Sequence, residues 1–237
     1  MPAGRRGPAQ PIQRPKSLAV LVAERLRKMI LDGDYALGEM LSEEKVAATF
    51  NVSRTPVREA MTILQLQGLI SIIPQRGSFV FKPGMGDLQE LVQYRLMLEL
   101  QAVKLAMDND PMKAAAALGK VVAAMRKASE NDQARTYMEA DSAFHQVFFK
   151  HCGNSYLSQA YEIVDARIAA LRANLAEPLE MHRGRTLAEH IQIAEDFEAG
   201  KLDAVLVTLE VHIINMLENY SKAITAIEEA PVRGRRG

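Results

Sequence analysis

The stretch "NVSRTPVREAM", residues 51–61, begins a helix whose two faces differ in character. Ser53 stands at the N-cap position, and Pro56 falls in the first turn, where a missing backbone N–H costs no hydrogen bond. Apolar residues follow at helical spacing on one side, whereas Arg54 and Arg58, four residues apart, project together from the other side. We therefore expect one face to pack on a neighbouring element and the other to meet a partner outside the protein.

The flanking sequence indicates the domain that holds this helix. Apolar residues between Leu18 and Ile30 recur at spacings of three and four, which predicts a first helix. The segment "LSEEKVAATF", residues 41–50, predicts a short second helix with Ser42 as its cap. The segment "LISIIPQRGSFVF", residues 69–81, predicts two strands joined by a turn at Gln75–Gly77. This order of elements is a winged helix-turn-helix.

In such a domain the arginine pair lies at the start of the recognition helix and points into the DNA major groove. Arginine can bind a guanine edge through two hydrogen bonds or contact a phosphate. The alternative is that both arginines are ordinary surface charges, but the proline and the predicted wing favour DNA binding. The candidate DNA-binding residues are Ser53, Arg54, Thr55, Arg58, Arg76 and Gly77.

Charge and composition agree with two unlike domains. Residues 1–82 hold 12 Lys/Arg against 7 Asp/Glu, whereas residues 83–225 hold 14 against 20. A basic first part suits a polyanionic partner. Trp is absent and aromatics make up 5% of the chain, which favours helices over a sandwich or barrel. No apolar run approaches the length of a membrane span, no secretory signal is evident, and one cysteine suits a cytoplasmic protein.

The predicted fold class is mainly α, with an N-terminal winged helix-turn-helix followed by an all-α antiparallel helical bundle. We expect a disordered tail at 1–15, the DNA-binding domain at 16–82, a linker at 83–86, the helical domain at 87–227 and a disordered tail at 228–237. Six helices are predicted in the helical domain, separated at Pro111, Gly153–Asn154, Pro178 and Gly200, with a further break near residue 131.

Four residues of the helical domain could form a metal site. Asp141 and His145 are four apart, so both side chains leave one face of one helix. His190 and His212 lie about ten and eleven residues on either side of the turn at Gly200, and an antiparallel hairpin places them at nearly the same level. One carboxylate and three imidazoles suit a divalent cation. The alternative is that these are buried core histidines.

The segment "LSEEKVAATFNVSRTPVREAMTILQLQGLISIIPQRGSFV" resembles the winged helix of GntR-type bacterial transcription regulators. The helical domain is similar to the FCD domain, the C-terminal ligand domain of the FadR branch. That likeness rests on "RLMLEL" at 95–100, "DSAFHQ" at 141–146, "EHIQIAEDFEAGKLDAV" at 189–205 and "VHI" at 211–213. The chain departs from the pattern at Glu44, where the family usually has an arginine. A DNA contact made there is then altered, and Lys45 could compensate in part.

The resemblance implies that Asp141 and the three histidines bind zinc, nickel or manganese, with zinc favoured. It also implies that Arg95, on the first helix of the domain, takes the carboxylate of a small organic acid. The alternative is that Arg95 pairs with Glu99 on a solvated face. Six helices favour the shorter FCD type over the one that binds long-chain acyl-CoA. Further candidates for the effector cavity are Tyr94, Arg167, Arg172 and Asn215.

The sequence therefore predicts a cytoplasmic homodimeric regulator that binds a palindromic DNA operator. We expect a repressor released by a small carboxylate effector bound beside the metal, and no membrane partner. One alternative is a regulator that responds to the metal itself, or whose metal is structural. A metal-dependent hydrolase is the remote alternative, disfavoured because no residue has a clear general-base role.

Overall fold

The computed structural model describes residues 16–175 and 182–229. The predicted disordered tail at 1–15 lies outside these ranges, as do residues 230–237 of the predicted C-terminal tail. Glu228 and Glu229, also assigned to that tail, instead belong to the last helix. Within the described ranges, no helix combines the length and apolar character needed to cross a membrane.

The N-terminal part contains three helices and a small antiparallel sheet. Strand β3 is central and pairs with both β1 and β2. The hairpin β2–β3 agrees with the prediction, whereas β1 was predicted as loop because two residues are too short for an alternating pattern. The elements are α1 (Leu18–Leu31), β1 (Met40–Leu41), α2 (Glu43–Phe50), α3 (Arg54–Leu66), β2 (Ile70–Ile73) and β3 (Gly77–Val80).

The turn between α2 and α3 follows the sequence prediction with one exception. Asn51 ends α2 in the left-handed backbone region, with φ of 52°, as its small polar side chain allows. Ser53 occupies the N-cap position of α3, but its side chain makes no capping hydrogen bond within the part of the chain that the structure describes. The hydroxyl of Ser53 is exposed and remains available to an external partner.

The C-terminal part is a bundle of six described helices. Helix α9 packs against α8 and α4, and α5 packs against α6. Gly153 and Gly200 turn the chain with positive φ values of 69° and 71°. The predicted helices agree within a few residues, apart from positions 176–181, which lie outside the described residues. The helices are α4 (Met85–Asn109), α5 (Pro111–Glu130), α6 (Ala134–His151), α7 (Ser155–Asn174), α8 (Arg183–Glu198) and α9 (Leu202–Glu229). The predicted fold class is confirmed.

Helix α7 belongs to both hydrophobic cores. Ile168 and Leu171 are buried in the core of the helical bundle. Ala166 and Ala170, on another face of the same helix, are buried in the core of the winged helix. Because one helix supplies both cores, a displacement of α7 is transmitted directly to the N-terminal part.

Two hydrogen bonds reinforce this contact between α7 and the winged helix. The Nε of Arg167 donates to the carbonyl of Gly68 at 3.1 Å, and the backbone N–H of Leu37 donates to Oδ1 of Asn174 at 3.2 Å. Gly68 has φ of +71°, and a Cβ there would lie 2.5 Å from the Arg167 side chain. Only glycine therefore fits both the backbone conformation and the close approach.

Candidate metal centre and DNA interface

The two recognition-helix arginines are exposed and share one carboxylate. Arg58 donates to Glu43 of α2 through Nε at 3.0 Å and Nη2 at 2.8 Å. Nη2 of Arg54 lies 3.6 Å from the same carboxylate. The hydrogen bond from Arg58 and the two positive charges lower the pKa of Glu43. The carboxylate holds both arginines on the exposed face of α3, where sequence analysis expected them.

The remaining candidate DNA contacts surround this pair. Ser53 and Thr55 are exposed at the N-terminus of α3, and Arg76 and Gly77 are exposed at the tip of the hairpin. Gly77 has φ of +115°, a conformation that an L side chain rarely adopts. The face thus offers hydroxyls, guanidinium groups and an accessible backbone, which are the donors that DNA-binding modules present to phosphates and base edges.

Three of the four predicted metal ligands form a compact buried cluster. His145 on α6, His190 on α8 and His212 on α9 each offer a nitrogen, and these atoms all lie within 4.8 Å of one another. The two Nε2 atoms of His145 and His190 are 3.3 Å apart. The hairpin around Gly200 therefore brings His190 and His212 to one level, as the residue counts predicted.

Each histidine of the cluster has its Nδ1 next to an oxygen acceptor. Nδ1 lies 2.7 Å from Oε2 of Glu99 for His145, 2.8 Å from the Thr186 carbonyl for His190, and 2.7 Å from Oε2 of Glu189 for His212. A carbonyl and an ionised carboxylate can only accept, so Nδ1 of each ring carries the hydrogen. Each neutral ring then directs an Nε2 lone pair away from its anchoring oxygen.

Burial keeps the imidazoles of His145 and His190 neutral. Loss of hydration lowers the pKa of His145 to about 4, despite the opposing attraction of Glu99. Burial also holds the pKa of His190 well below its ordinary value, and the neighbouring His212 acts in the same direction. Neutral imidazole is the form that binds a metal ion. His145 and His190 can therefore bind a metal ion without losing a proton.

Asp141 lies beside the cluster and is shared between two partners. Its Oδ1 is 3.6 Å from Nε2 of His190, and its Oδ2 forms an ion pair with Nη2 of Arg172. Burial by itself raises the pKa of the Asp141 carboxyl, but the positive charge of Arg172 outweighs burial and holds it below its usual range. One oxygen of an ionised carboxylate thus faces the histidines.

Arg95 is completely buried and does not line a cavity, which corrects the prediction that it faces an effector. Its Nε pairs with Glu99, so the i, i+4 pair of the alternative interpretation does form. That pair is buried rather than solvated, because Glu99 also accepts from His145 and from the hydroxyl of Tyr161 at 3.0 Å. Glu99 therefore links Arg95 to His145 of the histidine cluster.

A cavity of about 100 Å³ opens beside the cluster, between α6, α8 and α9. Arg172, Asn215 and the metal-ligand candidates Asp141 and His212 line this cavity. The prediction for Tyr94 and Arg167 is corrected: both lie at a separate surface cleft next to β2 and α4. The long side chain of Arg167 points to the winged helix because Gly68 and the Phe81 ring hold it there.

Comparison with known proteins now identifies the chain. Residues 18–80 match the model for bacterial regulatory proteins of the gntR family, and residues 90–215 match the FCD domain. This chain belongs to the GntR family. The GntR regulator is 30% identical over 197 residues to the HTH-type transcriptional repressor RspR of Escherichia coli K12, covering 82% of this chain and 85% of RspR. It is 28% identical to the HTH-type regulator YdhC of Bacillus subtilis 168, covering 81% and 86%.

Solved structures agree with this family at the level of the fold. A transcriptional regulator GntR from Rhodococcus sp. RHA1 superposes with a TM-score of 0.77 at 23% identity, covering 86% of this chain and 98% of that one. McbR/YncC of E. coli gives a TM-score of 0.75 at 22% identity, covering 87% and 99%. The family match, together with relatives named as transcription regulators, makes the protein a DNA-binding transcription regulator and not an enzyme, as the sequence predicted.

Sequence reasoning missed the residues that orient the histidines. Glu99 was considered only as a surface partner of Arg95, and Glu189 and Thr186 were not considered at all. Glu189 also accepts from Asn215 at 3.1 Å, so it joins His212 to a cavity residue. Glu189 comes directly before His190 in the sequence, and an acidic residue beside a candidate metal ligand could have been recognised as a partner for the cluster. The carbonyl of Thr186, one turn before His190, carries no signal in the sequence because any residue supplies a carbonyl.

Proposed function

We propose that this GntR regulator is a homodimeric repressor that binds a divalent metal and releases its operator when a small carboxylate enters the adjacent cavity. Two winged helices related by a two-fold axis would bind a palindromic operator, and the Arg54–Arg58 pair of each protomer would enter one of two successive major grooves. Its place of action is the bacterial cytoplasm, and residues 83–86 would link the DNA-binding and effector domains.

The observation that best supports a bound metal is the 3.3 Å distance between the facing Nε2 atoms of His145 and His190. With hydrogens on both Nδ1 atoms, the facing atoms are two lone pairs, which repel each other unless a cation lies between them. Ligands at about 2.0–2.1 Å from a tetrahedral zinc ion lie about 3.3 Å apart, and the observed separation fits that value.

His145, His190 and His212 would hold the metal, with Oδ1 of Asp141 as the fourth ligand. Zinc suits this donor set best, and nickel or manganese are alternatives. A bound cation would supply a Lewis-acidic partner for a carboxylate oxygen. The chain's own contribution is orientation, because Glu99, Thr186 and Glu189 fix the three rings before any ligand arrives.

A carboxylate is the effector class that the cavity favours. Arg172, at its wall, is a planar donor suited to two parallel hydrogen bonds with a carboxylate. In the structure that donor pairs with Asp141 and donates through Nη1 to the Ser142 hydroxyl at 2.7 Å. An incoming acid would compete for Arg172 while Asp141 turns to the metal, so metal and acid would support each other's binding.

Arg172 also offers a route from the effector to the DNA-binding head. It lines both the effector cavity and a cleft between α1, α6 and α7. Across that cleft, Arg135 of α6 pairs with Asp32 at the end of α1 at 2.6 Å. A change in the partners of Arg172 would therefore act on α7 and on the contact with α1. The acid can change operator affinity only by the difference between its affinities for the two arrangements of the DNA-binding heads.

The test uses metal-loaded protein bound to DNA that the protein itself selects from a random duplex pool. Acetate, glycolate, succinate and D-gluconate are added in turn, and both DNA release and the thermal midpoint are measured. We expect at least one acid to raise the midpoint, since a ligand of the folded state stabilises it, and to release the DNA. Acetamide, which lacks the negative charge, is the control.

Each arm of the proposal can fail separately. DNA release by metal alone, with no response to any acid, would make the metal the signal. Stable protein with no bound metal after incubation with zinc, nickel or manganese would return the three histidines to a structural role. A monomer that binds a single half-site would remove the two-fold model.

A further inference from the structure

Tyr137, on α6, carries a buried hydroxyl that has no hydrogen-bond partner in the part of the chain that the structure describes. The residue is 7% exposed, and its hydroxyl oxygen is shielded from solvent. A hydroxyl has one hydrogen to donate, and most buried polar atoms in native proteins are paired. An unpaired buried donor costs free energy, so the Tyr137 hydroxyl calls for an explanation.

This hydroxyl belongs to the wall of the effector cavity. Tyr137 lines that cavity and stands four residues before Asp141 on α6, so both side chains leave the same face of the helix. The guanidinium of Arg183 lies over the Tyr137 ring, 5.6 Å from its centroid, and Nη1 of Arg183 pairs with Asp132 at 3.1 Å. These contacts fix the ring, and with it the hydroxyl, beside the candidate metal ligand.

The hydroxyl of Tyr137 acts as a donor throughout the physiological pH range. Burial, followed by the negative charge of Asp141, raises the pKa of Tyr137 to about 13, so the hydroxyl keeps its hydrogen. The two carboxylates that line the same cavity already have partners, because Asp141 pairs with Arg172 and Glu189 lies 2.7 Å from Nδ1 of His212. A ligand in the cavity can supply the acceptor that the hydroxyl lacks.

We propose that Tyr137 selects the effector by donating a hydrogen bond to an uncharged oxygen, a hydroxyl or a carbonyl, next to the carboxylate of the acid. This inference rests on the proposed acid effector and adds the second group by which that acid is recognised. An uncharged oxygen suits the position better than a second carboxylate. The negative charges of Asp141 and Glu189 both act on the Tyr137 hydroxyl, and they would repel another anion there.

The size of the cavity limits the acid to a short chain. The cavity volume is about 100 Å³. A protein cavity of about 150 Å³ holds benzene, so an acid of roughly four to six non-hydrogen atoms fits here. In so small an acid the carboxylate and the second oxygen stand on neighbouring carbon atoms. Glycolate, L-lactate and pyruvate have this form and serve as probes.

Tyr137→Phe removes the hydroxyl alone and tests this selection. Calorimetry on metal-loaded wild type and variant compares acetate with glycolate, and propionate with L-lactate and pyruvate. We expect the gain in affinity from the added oxygen to fall by about 2–10-fold in Tyr137→Phe, while acetate and propionate bind both proteins alike. Contacts of the added oxygen with the metal are common to both proteins and cancel in this comparison. Tyr156→Phe, at an exposed position of α7, is the control and should keep the wild-type gain.

The outcomes separate this selection from acid sensing itself. An equal gain from the added oxygen in wild type and Tyr137→Phe overturns the selection and leaves acid sensing intact. Binding of succinate or D-gluconate without binding of any short acid does the same. A dependence on Tyr137 that appears with malonate and not with glycolate overturns the choice of an uncharged oxygen. No binding of any acid to protein that holds its metal overturns the proposed sensing function, and the selection with it.

The stability of Tyr137→Phe tests the alternative that the hydroxyl has a structural role. An unpaired hydroxyl stabilises nothing in the free protein, so the thermal midpoint without acid should equal or exceed that of wild type. Tyr161→Phe is the matched comparison, because the Tyr161 hydroxyl donates to Glu99 at 3.0 Å and its loss should lower the midpoint. A Tyr137→Phe protein that does not fold, loses its metal or falls to the midpoint of Tyr161→Phe would overturn the inference.

Discussion

The recognition helix and the effector cavity both contain arginines paired with carboxylates, in opposite surroundings. On α3 the Arg54 and Arg58 side chains are 64% and 67% exposed and share Glu43. In the bundle, the pairs Arg95–Glu99 and Arg172–Asp141 are almost fully buried. Water screens the first group and is excluded from the second.

This difference separates two uses of one chemical pair. An exposed ion pair stabilises a fold by about 0–1 kcal/mol, so Glu43 can exchange its arginines for DNA phosphates at low cost. A buried pair, once one partner is removed, leaves an uncompensated charge that costs about 3–5 kcal/mol. The exposed pair can be given up to a partner, whereas each buried pair needs a replacement ligand before it opens.

Loss of a histidine should give the largest effect. His190→Ala removes one of the two facing nitrogens, and we expect bound metal to fall from about one per chain to near zero, with a lower thermal midpoint in the presence of metal. Elemental analysis after gel filtration gives the metal content. His151→Ala, on α6 but paired with Asp110, is the control and should keep its metal. Full occupancy in His190→Ala would remove this residue from the centre.

Arg58→Ala should give the second-largest effect, and it should change DNA affinity alone. Loss of a base or phosphate contact costs about 1–3 kcal/mol, or roughly 5–150-fold in affinity for the selected DNA. Metal content and thermal midpoint should remain at wild-type values because the side chain is exposed. Arg126→Ala, an exposed arginine of α5, serves as the control in a fluorescence-anisotropy titration. Unchanged DNA affinity in Arg58→Ala would relocate the recognition surface.

Glu99→Gln should affect metal and stability together. The amide cannot hold the His145 tautomer as firmly, and loss of such an outer contact typically weakens metal binding about 10–100-fold. The unpaired Arg95 charge should also lower the free energy of unfolding by about 3 kcal/mol. Competition with a chromophoric chelator and urea unfolding measure the two quantities. Glu139→Gln, exposed on α6, is the control; equal values for both variants would contradict the buried network.

The same substitution at Glu43 should give the smallest effect. Glu43→Gln frees Arg54 and Arg58 from a competing anion, so DNA affinity should rise by about 2–5-fold at low salt, and by less as salt screens the charges. The free energy of unfolding should change by less than about 1 kcal/mol. A loss of stability as large as that of Glu99→Gln would erase the contrast between the two regions.

The sequence predicted whatever depends on local pattern. The caps, the proline in α3 and the spacing of apolar residues predicted the helices and the hairpin, and the i, i+4 pair with the turn at Gly200 predicted the histidine cluster. Strand β1 escaped prediction because its two residues form a strand only when β3 pairs with them.

The sequence could not predict the direction or burial of a side chain when these depend on residues far away in the sequence. Arg167 could face the bundle or the winged helix from the same position on α7, and only the approach of Gly68 decides between them. Likewise, the spacing of Arg95 and Glu99 predicts a pair but not its burial. That depends on α6 and α7, which bring His145 and Tyr161 onto the same carboxylate.

The shared helix α7 has a consequence for building hybrid regulators. A DNA-binding head exchanged at the linker would arrive without the surface of α7, including Ala166 and Ala170, that completes its own core. The small alanines fit only a head whose α1 approaches α7 as closely as it does here. A working hybrid therefore has to carry, from the donor of the head, the residues on that face of α7 and Arg167, which donates to Gly68 of the head, although these positions of α7 lie far beyond the junction in sequence.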